Sequence, residues 1–169
     1  MDTAAKTASF LSLTEQHKGI VYKVAHSYCK DAEDRKDLIQ EIFIQLWRSF
    51  EKYDDAYKHS TWIYRIALNT AISFYRKANS RAKIAHPITD AIIENSGDTD
   101  VRESDPNMVI LQQFIAELKE IDKALILLYL EEKNYKEIAA IMGFTETNVA
   151  TRIRRIKQSL QKRFSTIKD

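Results

Sequence analysis

Apolar residues recur at intervals of three and four along most of this chain, the pattern of helices that bury one face. Ile20, Val21, Val24, Ala25 and Tyr28 share such a face and predict a helix that stops near Lys30. Leu38, Ile39, Ile42, Phe43, Leu46, Trp47 and Phe50 predict a second, with Asp31 or Asp34 as its N-cap. The polar stretch EKYDDAYKHS breaks the period and predicts a loop. After it, Thr61 caps a third helix that turns Ile63, Ile66, Ala67, Thr70, Ala71 and Phe74 inward and frays beyond Lys77.

The period lapses from Ala85 to Pro106, a segment that holds Gly97 and both prolines and reads as a linker. It resumes at Asn107 with Val109, Ile110, Phe114 and Leu118. Asp122 is the expected cap of KALILLYLEE, and two more helices are expected over Tyr135–Met142 and Thr145–Phe164. The expected fold is all-α: two small helical domains, residues 1–83 and 108–169, joined by a flexible acidic linker, residues 84–107. Only three Gly and two Pro in 169 residues leave the long uninterrupted segments such a fold needs.

The last two helices carry chemistry as well as pattern. Ile138, Ala139 and Met142 form the inner face of a short helix, Gly143 permits a sharp turn, Phe144 plugs the corner and Thr145 caps the final helix. Val149, Ile153, Ile156 and Leu160 then point inward, which leaves Asn148, Arg152 and Arg155 on another stripe beside Thr147, Thr151 and Arg154. An anchored helix whose outer face is Asn, Thr and Arg fits the major groove: Arg forks onto guanine, Asn onto adenine, and further cations hold phosphates. A solvated basic helix would show the same charges without the cap, the glycine and the small residue.

Charge makes the pattern sharper. The net charge is only +2, but Thr61–His86 holds five basic residues and no acid, and Thr145–Lys168 holds seven basic residues against Glu146. Between them ENSGDTDVRESDP sets five acids against Arg102. Two cationic surfaces on an anionic tether suggest two contacts with one polyanion. Within the first, Trp62, Arg65, Asn69, Ser73 and Arg76 form an outward stripe suited to stacking on bases and holding the phosphates of a single strand. The competing reading makes Trp62 core and the cations ordinary surface.

Other chemistries find little support. The four histidines are scattered and none pairs with Cys29 or a carboxylate at metal-ligand spacing, so no metal or other cofactor is expected. No glycine-rich phosphate loop occurs, and no enzymatic activity is expected. A single cysteine excludes an internal disulfide, no run approaches the ~20 apolar residues of a membrane span, and MDTAAKTASF lacks the features of a signal peptide.

DAEDRKDLIQEIFIQLW, then TWIYRIALNTAISFYRK, then the terminal helix-turn-helix, in that order, resemble the extracytoplasmic-function (ECF) group of bacterial RNA polymerase sigma factors over Phe10–Lys83 and Leu111–Phe164. The resemblance implies sigma regions 2 and 4. It implies binding to core RNA polymerase, through the clamp helices of the largest subunit and through the second-largest, with Asp37, Gln40, Glu41, Ile44 and Arg48 as the contact stripe. It implies recognition of the −10 promoter element, as duplex and as melted non-template strand, by Lys58, His59, Ser60, Trp62, Arg65, Asn69, Ser73, Arg76 and Lys77, with Tyr57–Ser60 near a flipped base. It assigns the −35 element to Thr145, Thr147, Asn148, Thr151, Arg152, Arg154 and Arg155. An anti-sigma partner and a cytoplasmic location are also implied: nucleoid-associated in holoenzyme, or at the membrane through the anti-sigma factor, with no membrane insertion of its own. Ser73 stands where this family usually has an acid, Ala150 where it commonly has a lysine, and Lys119 where a proline often opens the second domain. Outside the resemblance, a two-domain regulator whose first domain dimerises or senses a ligand would carry the same helix-turn-helix, and a helical interaction protein would leave Arg152 and Arg155 without a role.

Overall fold

The computed structural model describes residues 2–84 and 105–168. These form seven helices and no strand: α1 (Thr3–Tyr28), α2 (Ala32–Ser49), α3 (His59–Ile84), α4 (Pro106–Ala116), α5 (Glu120–Leu130), α6 (Tyr135–Met142) and α7 (Glu146–Lys168), with a 3-10 turn at Phe50–Lys52. The linker expected over residues 84–107 lies mostly outside the described residues. Its last acid, Asp105, belongs to the second unit: its carboxylate caps α4 by accepting from the Asn107 N–H at 2.9 Å, with Pro106 at the first helical position.

The first unit is built around α3, against which α1 and α2 both pack. Leu38, Ile42 and Leu46 of α2 are fully buried at a spacing of four, so each full turn contributes one anchor worth ~1.5–3 kcal/mol. Asp31 caps α2, accepting from the Asp34 N–H at 3.1 Å, which decides between the two candidate caps. At one end of this core, Phe10 meets Trp47 edge-on at 5.1 Å and Phe50 at 5.4 Å, while Lys6 sits 4.6 Å above Trp47.

In the second unit α5 and α6 pack on α7, and α4 on α5. Gly143 ends α6 at φ 72°, a left-handed conformation that only glycine adopts without strain, and its N–H bonds the Ala139 carbonyl at 2.9 Å. Thr145 then accepts from the Asn148 N–H at 3.1 Å and starts α7, whose Val149, Ile153, Ile156 and Leu160 are buried as the spacing predicts.

Several expectations need correction. α3 begins at His59, so Thr61 lies within its first turn, and it continues through Lys77 to Ile84. Likewise α5 begins at Glu120 after Lys119, which places Asp122 inside the helix. Val109, expected inward, is 41% exposed, because α4 turns Phe114 rather than Val109 into the core.

The two units also meet. α3 packs on α5 and α6 as well as on its own partners, and Tyr64, Leu68 and Ile72, outside the predicted inner face, are buried. Across the seam the Tyr28 hydroxyl donates to the Glu120 carbonyl at 2.6 Å and Lys123 donates to the Ser27 carbonyl at 3.3 Å. Lys123 is buried, lying 5.2 Å from the Tyr28 ring and 5.5 Å from the Tyr75 ring. Burial, followed by the charge of Lys30, lowers its pKa, while the two ring faces favour its charged form.

Candidate functional site

α3 carries the first cationic surface because its inner face is fixed by Ile63, Ala67 and Ala71, which forces Arg65, Asn69, Ser73, Arg76 and Lys77 outward, and all five are exposed. Trp62 is half-buried: its ring meets Tyr53 edge-on at 5.2 Å and Phe50 at 6.3 Å, so it is partly core and partly surface. Around it the loop is ordered by its own side chains. The Tyr53 hydroxyl donates to the Tyr57 carbonyl, and the Ala56 N–H donates to Asp54 at 2.9 Å. His59 lies 5.0 Å from Tyr53, and the Arg65 guanidinium lies 5.8 Å from the centre of the Tyr57 ring. His17 of α1 comes within 6.2 Å of His59, and partial burial and then that neighbour lower its pKa, so neutral imidazole is favoured here. The result is an aromatic cluster of Tyr53, Tyr57, His59 and Trp62 edged by Lys58, Ser60 and Arg65, a surface on which a base can stack. Tyr53 opens the stretch YDDAYKHS that the sequence offers as a receiver for an unstacked base, but its packing against Trp62 and His59 had no sequence signal of its own.

Beside this cluster α2 and α3 enclose a groove of about 1010 Å³. Its α2 wall includes Asp37, Gln40, Glu41 and Ile44, and its α3 wall includes Asn69, Ser73 and Lys77. The expected polymerase stripe and part of the expected −10 stripe therefore line the same groove, with acids and amides facing cations and hydroxyls. Ile44 is 44% exposed on this wall, and the Gln45 amide donates to Glu41 at 2.8 Å. Arg48, also exposed, does not line the groove. Lys58 and Arg76 face elsewhere: Lys58 approaches Glu137 of α6 at 4.0 Å and Arg76 pairs with Glu120 of α5 at 2.7 Å. The hydrogen bond from Arg76 lowers the pKa of Glu120.

On α7, Thr147, Asn148, Arg154 and Arg155 are exposed, as is the cap Thr145, while Thr151 and Arg152 are half-buried. Arg152 donates through Nε to the Asn148 amide oxygen at 3.0 Å, and its guanidinium lies 5.1 Å from the centre of the Phe144 ring. Lys157 turns away and donates to the Tyr129 hydroxyl at 3.1 Å. No described side chains form a group of three or more His, Cys, Asp or Glu able to hold a metal, and no described helix is long and apolar enough to cross a membrane.

The first unit thus presents a cationic helix beside an aromatic loop, and the second a helix-turn-helix. Family profiles identify both as parts of a sigma-type transcription initiation factor: Sigma-70 region 2 matches residues 13–81 and Sigma-70 region 4 matches residues 108–160. The ECF RNA polymerase sigma factor SigM of Bacillus subtilis is 30% identical over 142 residues, covering 83% of this chain and 86% of its own length. The ECF RNA polymerase sigma-E factor of Escherichia coli is 28% identical over 166 residues, covering 92% of this chain and 85% of its own. Two solved structures share the fold. CnrH in complex with the cytosolic domain of CnrY superposes with TM-score 0.66 at 20% identity, over 95% of this chain and 90% of that one. The sigma factor RpoE in complex with the anti-sigma factor NepR, from Bartonella quintana, gives 0.65 at 17% identity, over 92% and 94%. The chain belongs to the ECF RNA polymerase sigma factors. It acts in transcription initiation by binding; sigma factors are not enzymes.

Proposed function

We propose that the groove between α2 and α3 couples polymerase binding to strand capture. Asp37, Gln40, Glu41 and Ile44, with Arg48 at the margin, bind the clamp helices of the largest polymerase subunit. Lys58, His59, Ser60, Trp62, Arg65, Asn69, Ser73, Arg76 and Lys77 then receive the −10 element and its melted non-template strand. Support comes from the shared groove: a helix bound against α2 would lie alongside the strand held by α3. Thr145, Thr147, Asn148, Thr151, Arg152, Arg154 and Arg155 face the −35 element, and the second-largest subunit holds the second unit in place.

Arg76 and Lys58 are engaged by Glu120 and Glu137, so withdrawal of the second unit would free both fully for phosphate. The closed arrangement is then the factor at rest. An anti-sigma factor, of the kind bound in the Bartonella quintana RpoE complex, would keep it there, either in the cytoplasm or at the membrane. Run-off transcription with purified core polymerase and genomic promoter fragments tests the reading. Transcripts dependent on this chain are expected, and strong operator binding by the chain alone would favour a conventional helix-turn-helix regulator instead.

A further inference from the structure

Among the adjacent cations of α7, one is held differently. Arg154 and Arg155 are exposed and make no ion pair or side-chain hydrogen bond among the described residues. Arg152 is half-buried, tied through Nε to Asn148 and placed beside the Phe144 ring. That brace rests on rigid parts. Phe144 packs against the core, the Asn148 N–H is bonded to the Thr145 cap, and the neighbouring Val149 and Ile153 are fully buried, so the helix cannot rotate about its axis.

We propose that Arg152 is the guanine-reading side chain of α7 and that Asn148, one turn earlier, is its positioning residue rather than an independent adenine reader. The chemistry depends on which nitrogen is used. The bond consumes Nε and leaves the two terminal nitrogens available to fork onto guanine O6 and N7. The same bond takes one lone pair of the Asn148 oxygen and turns the amide toward Arg152, whereas bidentate adenine reading would need that oxygen turned to accept from N6. A guanidinium already fixed at two points loses less freedom on meeting the base, which favours it over its unbraced neighbours. Arg154 and Arg155 are left to the phosphates, where position matters less than charge.

This inference rests on the −35 assignment, so the test must separate the two. Holoenzyme made with wild type, Arg152→Ala, Asn148→Ala or Asn148→Asp selects from a promoter library randomised across the upstream element, at matched salt. Wild type is expected to prefer guanine at one position by about 5- to 150-fold, the range of a good bidentate contact. Arg152→Ala should abolish that preference and Asn148→Ala should reduce it at the same position. Asn148→Asp keeps the acceptor oxygen and should restore the preference, although its charge weakens binding to every sequence. Combining Asn148→Ala with Arg152→Ala should lose no discrimination beyond Arg152→Ala alone.

If Asn148→Ala instead removes an adenine preference at another position and spares guanine, the positioning role is wrong. It is also wrong if Asn148→Asp behaves like Asn148→Ala. A wild-type preference that survives Arg152→Ala overturns the inference and leaves the −35 assignment standing. A wild-type holoenzyme with no upstream preference overturns both.

Discussion

Tyr28→Phe removes a single oxygen from the seam between the two units, and its effect can be worked out. The Tyr28 hydroxyl donates to the Glu120 carbonyl at 2.6 Å, and that residue's carboxylate holds Arg76 at 2.7 Å. A typical intramolecular hydrogen bond nets ~0.5–1.5 kcal/mol, so Tyr28→Phe should shift the closed-to-open ratio by about 2- to 12-fold toward open. Glu120→Gln removes the ion pair. With Arg76 59% and Glu120 23% exposed, that pair is solvent-screened and worth ~0.2–1 kcal/mol. Because both contacts run through Glu120, the double variant should fall short of the sum. Salt separates them: raising ionic strength should mimic Glu120→Gln and leave the Tyr28 effect intact. Single-molecule energy transfer between dyes on cysteines introduced at Lys18 and Lys162 is the assay. Cys29 is buried, and burial raises its thiol pKa, which directs labelling to the introduced sites. Indistinguishable distance distributions for wild type, Tyr28→Phe and the double variant, at low and physiological salt, would refute the claim that this seam holds the units together.

Other features give three more expected outcomes. Arg65→Ala with Asn69→Ala should impair promoter opening but leave polymerase binding intact, and permanganate reactivity of the bubble reads this directly. The lowered pKa of Lys123 means that the unfolded chain binds more protons between the folded value and the ordinary 10.5. Its contribution to stability therefore rises with pH through that window, and Lys123→Met should flatten it. Tyr28 and Tyr64, the latter pushed up to about 12, pull the other way above pH 10.0, so the quantity to measure is the wild-type-minus-variant difference in urea midpoint. Replacing Glu94, Asp98, Asp100 and Glu103 of the tether with Ser and Asn should leave promoter binding unchanged but alter the abortive RNA ladder, and an identical ladder would make the segment only a spacer.

Legibility from sequence tracked the range of the interaction. The turn from α6 to α7 was readable because each device is local: a glycine that must be left-handed, a threonine cap and a four-three-four run of buried aliphatics. The starts of α3 and α5 were not. Thr61 and Asp122 are good capping residues, but a cap is worth ~1 kcal/mol and packing overrides it. The Asn148–Arg152 bond is accessible as an i, i+4 pair, yet the same two residue types equally suggest separate base contacts. The seam left no sequence signal, since Tyr28 and Glu120 are 92 positions apart and a buried Lys123 contradicts the rule that lysines face water. The placement of Arg76 against Glu120, rather than beside the groove, could be seen only once both units were in view.

The aromatic cluster of the first unit also gives the protein a built-in optical probe. Its two tryptophans, Trp47 and Trp62, both lie in the first unit, and the second unit contributes only Tyr129 and Tyr135 among the aromatics that emit appreciably. Excitation at the red edge of the absorption band therefore interrogates one half of the molecule and is blind to the other. Trp47, covered by Phe10 and Lys6, supplies a steady background. Trp62, half-exposed beside Tyr53, supplies the part that a stacked base would quench. The strand capture proposed for the α3 surface could thus be timed in an unlabelled holoenzyme carrying a tryptophan-free polymerase, with Trp62→Phe as the dark control.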